Sequence, residues 1–122
     1  MTQRRKLEDY MKTIYKLQKM GKVKGADIAR TLEVSRPTVS VSLKALQEEG
    51  YIRILDDHSV VLTPKGMVIA REIADRNNVL FEMLIDLGVD RETASRDACN
   101  MEHAISSESL CALLSLAKNR NE

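Results

Sequence analysis

At 122 residues, with 43% hydrophobic and 30% charged, the chain fits one compact domain or a small domain with a helical appendage. Its net charge of +1 conceals an asymmetry: residues 1–53 carry twelve Lys/Arg against six Asp/Glu, and residues 54–122 carry seven against twelve. No apolar run approaches the ~20 residues that span a bilayer, the charged start MTQRRKLEDY excludes a secretory signal, and two cysteines without an export signal point to free thiols in a reducing cytoplasm. Aromatics are scarce and Trp is absent, so the core must be built from Leu, Ile, Val, Met and Ala. A basic half joined to an acidic half suggests a polyanion-binding module attached to something else, although chance clustering on solvated faces explains the charge alone equally well.

In chain order, residues 6–19 (KLEDYMKTIYKLQK) put Leu7, Tyr10, Met11, Ile14, Tyr15 and Leu17 at helical spacing, with lysines on the opposite face, and Gly21 ends the helix. GADIARTLEVS reads as a short helix burying Ile28, Ala29 and Leu32, with a tight turn at Val34-Ser35. Ser35 is the expected N-cap of RPTVSVSLKALQEEG, with Pro37 in its first turn, Val39, Leu43 and Leu46 inside, and Gly50 at its end. Two β-rich stretches, Tyr51–Leu55 and Ser59–Thr63, flank Asp56-Asp57-His58 as a hairpin. Helix, helix, turn, helix, hairpin is the order of a winged helix-turn-helix, expected over residues 1–64.

Residues 65–122 are expected to form a second, helical domain. A long helix from Lys65 to Leu87 carries Val68, Ile69, Ile73, Leu80, Met83 and Leu84 in its stripe and stops at Gly88. A further helix is capped by Asp90, with Glu92 and Thr93 in its first turn, and Ser106 or Ser107 caps ESLCALLSLAKN. Three striped helices without a core of their own need something to pack on, and a second copy related by symmetry is the natural partner. Met11, Met67, Met83 and Met101 read as core filling, Cys111 as a core cysteine, and His58 as a solvated tip residue.

In a helix-turn-helix the start of the second helix enters the major groove of double-stranded DNA. The residues expected there are Ser35, Arg36, Thr38, Ser40, Ser42 and Lys44, with Pro37 offering apolar contact to a thymine methyl. Arg36 suits a phosphate or a guanine edge. Arg4, Arg5, Lys6, Lys22 and Lys24 are expected on the DNA backbone, and the acidic Asp-Asp-His tip predicts a weak wing contribution. A winged helix used only for protein contacts is the competing reading.

RDACNMEHAIS sets Cys99, Glu102 and His103 at i, i+3 and i+4, which on a helix share one face. One sulfur, one oxygen and one imidazole nitrogen suit Fe2+, Co2+, Ni2+ or Zn2+ better than Mg2+ or Ca2+. The spacing alone leaves a plain reading open, a buried cysteine beside a solvent-facing Glu-His pair. It also leaves open a thiol that senses redox state. A cysteine enzyme using Cys99 and His103 is disfavoured by the lack of a Gly-rich oxyanion turn, so the chain is not expected to be an enzyme.

With LEDYMKTIYKL at its start, ADIARTLEVSRPTVSVSLKALQEEGYI in the middle and DACNMEHAIS near its end, the chain closely resembles the diphtheria toxin repressor/manganese transport regulator family, from about Leu7 to Leu116. That resemblance implies a homodimeric, metal-activated repressor of metal-homeostasis genes, acting on an inverted-repeat operator, with the C-terminal helices as dimerisation domain. It implies metal ligands at Asp9, Cys99, Glu102 and His103, and an ion that joins the DNA-binding and dimerisation domains. Where manganese-type members carry a glutamate and a histidine, this chain has Lys12 and Asn77. The other ligands of the iron-type second site fall at Phe81 and Ser95, so one metal per subunit is expected, with Lys12 replacing a missing cation. The family's SH3-like domain is not expected in a chain ending at Glu122. The Cys99 thiolate favours Fe2+ over Mn2+, with Co2+, Ni2+ or Zn2+ able to fill the site in vitro. A manganese sensor and a metal-independent redox regulator acting through Cys99 remain the alternatives.

Overall fold

The computed structural model describes the backbone of residues 3–121 and the side chains of residues 4–116. Its elements are helix α1 (Gln3–Leu17), a 3-10 turn (Gln18–Met20), strand β1 (Val23–Lys24), helices α2 (Gly25–Leu32) and α3 (Arg36–Glu48), strands β2 (Ile52–Ile54) and β3 (Ser59–Leu62), and helices α4 (Pro64–Asp86), α5 (Arg91–Met101) and α6 (Ser107–Asn121). The fold is mainly α with a winged helix-turn-helix at its start. Two compact units emerge, Met1–Glu72 and Ile73–Glu122, and the division lies inside α4.

The first unit closes around Ile14, Val23, Ile28, Val39, Leu46 and Ile52, each essentially inaccessible to water. Leu7, Tyr10, Met11 and Ile14 make the stripe that periodicity predicts for α1. The lysines of α1 do not all lie outside, as that pattern predicts: Lys12 is only 6% exposed, because residues 10–14 are all buried. Between α2 and α3 the chain turns in three residues, with Glu33 in the left-handed region (φ 56°) and Val34 N–H donating to Ala29 O at 3.0 Å. Ser35 caps α3 by accepting from Thr38 N–H at 3.2 Å.

Antiparallel pairing orders the sheet β1-β3-β2, with Arg53 opposite Val61 and Val23 opposite Val60. The hairpin turn closes through His58 N–H to Leu55 O at 2.9 Å and Leu55 N–H to Ser59 O at 2.8 Å, and His58 takes a positive φ of 66°. A three-residue loop with a left-handed last residue is a standard solution for this hairpin length. Strand β1 is not foreseen by the sequence reading.

In the second unit Leu80, Met83 and Ala98 form a small core, with Phe81, Met101, Ile105, Leu110 and Leu113 packed on it. Val68, assigned to the stripe of α4 by sequence, is 67% exposed; the buried positions there are Ala70, Ile73, Ala74, Leu80 and Met83, and Val68 falls about 200° round the helix from Ala70. Gly88, at φ 95°, lets the chain leave α4. Asp90 caps α5 through Thr93 N–H at 3.1 Å, and Ser106 accepts from Ser109 N–H at 3.1 Å at the head of α6. Cys111, expected in the core, is exposed, because Leu110 and Leu113 occupy the inward positions of α6.

Candidate functional site

The α3 surface follows from its cap and its stripe. Val39, Ser42, Leu43 and Leu46 are buried, and that i, i+3, i+4, i+7 set leaves Arg36, Pro37, Ser40 and Lys44 on the outer face. Ser42, expected among the DNA-facing hydroxyls, is 4% exposed and belongs to the inner stripe. Thr38 is half-buried and Ser35 exposed; their hydroxyls lie 2.8 Å apart, so both are engaged in ordering the first turn. One exposed residue was missed: Val41 is 70% accessible, and a helical wheel drawn on the buried stripe would have found it.

Around α3 the cations of the first unit divide. Lys6 and Lys24 are exposed, Arg4 is exposed with its guanidinium 3.9 Å from Glu8, and Arg5 is half-buried. Lys22 Nζ donates to Asp57 Oδ2 at 3.0 Å, so the lysine expected on the DNA backbone is tied to the wing tip. Asp57 also accepts from Ser59 Oγ at 2.6 Å and Ser59 N–H at 3.0 Å. Those Ser59 hydrogen bonds first, and Lys22 after them, hold the Asp57 carboxyl well below the usual carboxylate range.

The predicted metal-ligand residues are placed unevenly. α5 ends at Met101, so Glu102 is its C-cap and His103 lies in the following turn, where Met101 O accepts from Ala104 N–H and Ile105 N–H at 3.0 Å each. Glu102 keeps helical dihedrals (φ −58°, ψ −29°) and donates its N–H to Ala98 O, so it continues the helical spacing from Cys99. Glu102 and His103 are brought together: Oε1 and Nε2 lie 3.2 Å apart, and the two side chains are 0% and 4% exposed. Cys99 is exposed, against the plain reading of a buried cysteine, because Ala94 and Ala98 take the inward positions of α5. Asp9 is half-buried on α1, one residue before Tyr10 of the first core.

A carboxylate oxygen and an imidazole nitrogen are ordinary donors for divalent first-row ions. Bound side by side at about 2.0–2.2 Å from one ion, two such donors sit roughly 3 Å apart. The 3.2 Å separation of Glu102 and His103 fits that arrangement. Arg76 anchors the start of the α5–α6 connection's far end, donating from Nη1 to Ile105 O at 2.6 Å and from Nη2 to Ser107 Oγ at 2.8 Å. No helix among the described residues is long and apolar enough to cross a membrane.

Comparison with known proteins adds an independent line. Residues 3–60 match a family model described as iron dependent repressor, N-terminal DNA binding domain. Residues 63–122 match one described as iron dependent repressor, metal binding and dimerisation domain. The chain is 38% identical over 113 residues to the transcriptional regulator MntR of Salmonella typhimurium, covering 92% of this chain and 72% of that one. It is 34% identical over 103 residues to the diphtheria toxin repressor of Corynebacterium efficiens, covering 83% of this chain and 45% of that one. A solved manganese-dependent transcriptional repressor in complex with manganese superposes with a TM-score of 0.82 at 28% identity, over 92% of this chain and 52% of that one. This chain thus spans about half the length of the last two.

Proposed function

Because the chain belongs to the iron dependent repressor family, we propose that it is a homodimeric, metal-activated repressor that binds an inverted-repeat operator and controls metal-homeostasis genes. One observation carries the metal part of this reading: Glu102 and His103, buried and 3.2 Å apart, form a donor pair inside the segment that matches the metal-binding model. Asp9 and Cys99 are proposed as its further ligands, on the strength of the LEDY and ACNMEH motifs. When bound, the ion supplies positive charge and directional coordination to a carboxylate that is costly to bury alone. Glu102 and His103 hold the turn after α5 to one geometry, and the exposed face of α3 presents Arg36, Ser40 and Lys44 to DNA. Metal binding then raises the population of one DNA-competent arrangement rather than adding base contacts.

We assign Fe2+ as the activating ion, with one per subunit, because a thiolate at Cys99 disfavours Mn2+. Manganese is a second reading with support of its own. Cys99 is exposed, which leaves an oxygen and an imidazole as the buried donors. Anaerobic titration of the metal-free protein with Fe2+, Mn2+, Co2+ and Zn2+, each followed by an operator-binding assay, tests both. Binding that is equal with chelator and with every metal overturns the metal-dependent reading, and activation by Mn2+ alone selects the second ion. Two tight ions per subunit would refute the single-site assignment.

A further inference from the structure

Val41 has no part in the packing of the first unit and none in the function just proposed. It is 70% exposed, on a helix whose buried residues are Val39, Ser42, Leu43 and Leu46. At about 100° per residue, Val41 lies some 150° from the middle of that stripe. Pro37, one turn earlier, is also exposed, so the outer face of α3 carries two adjacent apolar residues. Arg36, Ser40 and Lys44 flank them on one side, and Arg36 and Lys44 are exposed cations. An apolar pair with positive charge along one flank fits a groove bounded by phosphates rather than an apolar protein surface.

We infer that Val41 is a specificity-determining residue that packs against the C5 methyl of a thymine in the major groove, beside Pro37. The inference rests on the DNA-binding reading above. Thymine is the one base that offers an apolar methyl group at the major-groove edge, where cytosine carries only a C5 hydrogen beside its N4 donor. Val41 has no polar side-chain atom, so its only favourable partner at a base edge is that methyl; against guanine, adenine or cytosine it gains no apolar contact. It adds nothing to phosphate contacts, and its effect is therefore on sequence preference.

The test begins with selection of binding sites from a randomised duplex pool by the full-length, metal-loaded protein. Each thymine of the selected site is then replaced in turn by deoxyuridine, which removes the methyl and nothing else, at fixed salt. Removal at one thymine per half-site is expected to weaken wild-type binding about fourfold, the worth of one buried methyl. In Val41→Ala that position becomes insensitive to the methyl, while binding to unrelated duplex and the circular dichroism spectrum are unchanged. If no thymine methyl matters, or if Val41→Ala keeps the full methyl dependence, the inference is overturned while sequence-specific binding stands. A pool that yields no enriched sequence overturns the DNA-binding reading, and this inference with it.

Discussion

Replacing Gly66 by alanine should destabilise this protein, the reverse of what that change usually does inside a helix. Alanine gains about 1 kcal/mol over glycine in a helix interior. Gly66 is the third residue of α4, so that gain is an upper bound. Here a Cβ on Gly66 would fall well inside contact distance of the Tyr51 carbonyl oxygen, with the carbonyl carbon at 2.9 Å and Leu62 Cδ2 at 3.2 Å. Backbone does not yield as a side-chain tip does, and the Tyr51 backbone is hydrogen-bonded through both its N–H and its carbonyl. Its N–H donates to Leu46 O at 2.9 Å, and its oxygen accepts from Thr63 N–H at 3.0 Å. Lys65 ties the same corner, with its ammonium 4.5 Å from the Tyr51 ring centre and bonded to Glu49 O at 2.9 Å. Relief requires the start of α4 to move away from the strand, at an overpacking cost of about 1–3 kcal/mol and the weakening of a hydrogen bond worth about 1 kcal/mol. Set against the helix gain, the net loss is about 1–3 kcal/mol. In urea the midpoint should fall by roughly 1 M at an ordinary slope. An alanine variant that unfolds at the same or a higher urea concentration would refute the close approach of α4 to Tyr51.

Three further outcomes are expected. Ser35→Ala removes the cap of α3 and should cost about 1 kcal/mol in chemical denaturation, while Ser35→Asp retains most of that stability. Asp57, whose carboxyl is held below its ordinary value, contributes stability that is fully present above that ordinary value and is lost progressively as pH falls from there through the lowered one. Carboxyl-carbon NMR should therefore show Asp57 titrating below the other aspartates, and Ser59→Ala should move its midpoint upward. Arg76→Lys cannot bridge Ile105 O and Ser107 Oγ as a planar fork does. It should weaken metal binding by about 10-fold or more, the range for groups that orient ligands, with the melting temperature nearly unchanged; calorimetric titration at wild-type affinity would refute it.

Much of the fold was legible because its boundaries are written in residues with one local meaning. Ser35 with Pro37, Asp90 with Thr93, and Gly88 each mark a helix end where the structure has one. The hairpin was legible from β-branched residues on either side of a polar tip. Strand β1 was not, since two residues paired across a long sequence gap leave no periodic signal. Ser42 and Lys12 were misassigned because residue type was read before position. Ser42 completes the stripe of Val39, Leu43 and Leu46, and Lys12 falls in a segment of α1 buried throughout. Val41 is the converse error, an apolar residue passed over at a position that faces outward.

The ligand turn shows why residue identity and geometry separated. Spacing of i, i+3 and i+4 brings side chains near one another on a helix but does not say which of them is buried. α5 stops at Met101, and the inward positions before it are the alanines at 94 and 98, too small to carry chemistry but able to let the helix pack closely. Glu102 is then buried at the helix end and His103 is delivered by the turn, while Cys99, still on the helix proper, is left exposed. The geometry of the Glu102-His103 pair is thus governed by the connection between α5 and α6. That connection is held by Met101 O, which accepts two backbone N–H groups, and by Arg76 reaching across from α4. Substitutions on the outer face of α5, such as at Ser95 or Arg96, leave these restraints intact, whereas a change at Arg76 loosens the connection that positions the donors.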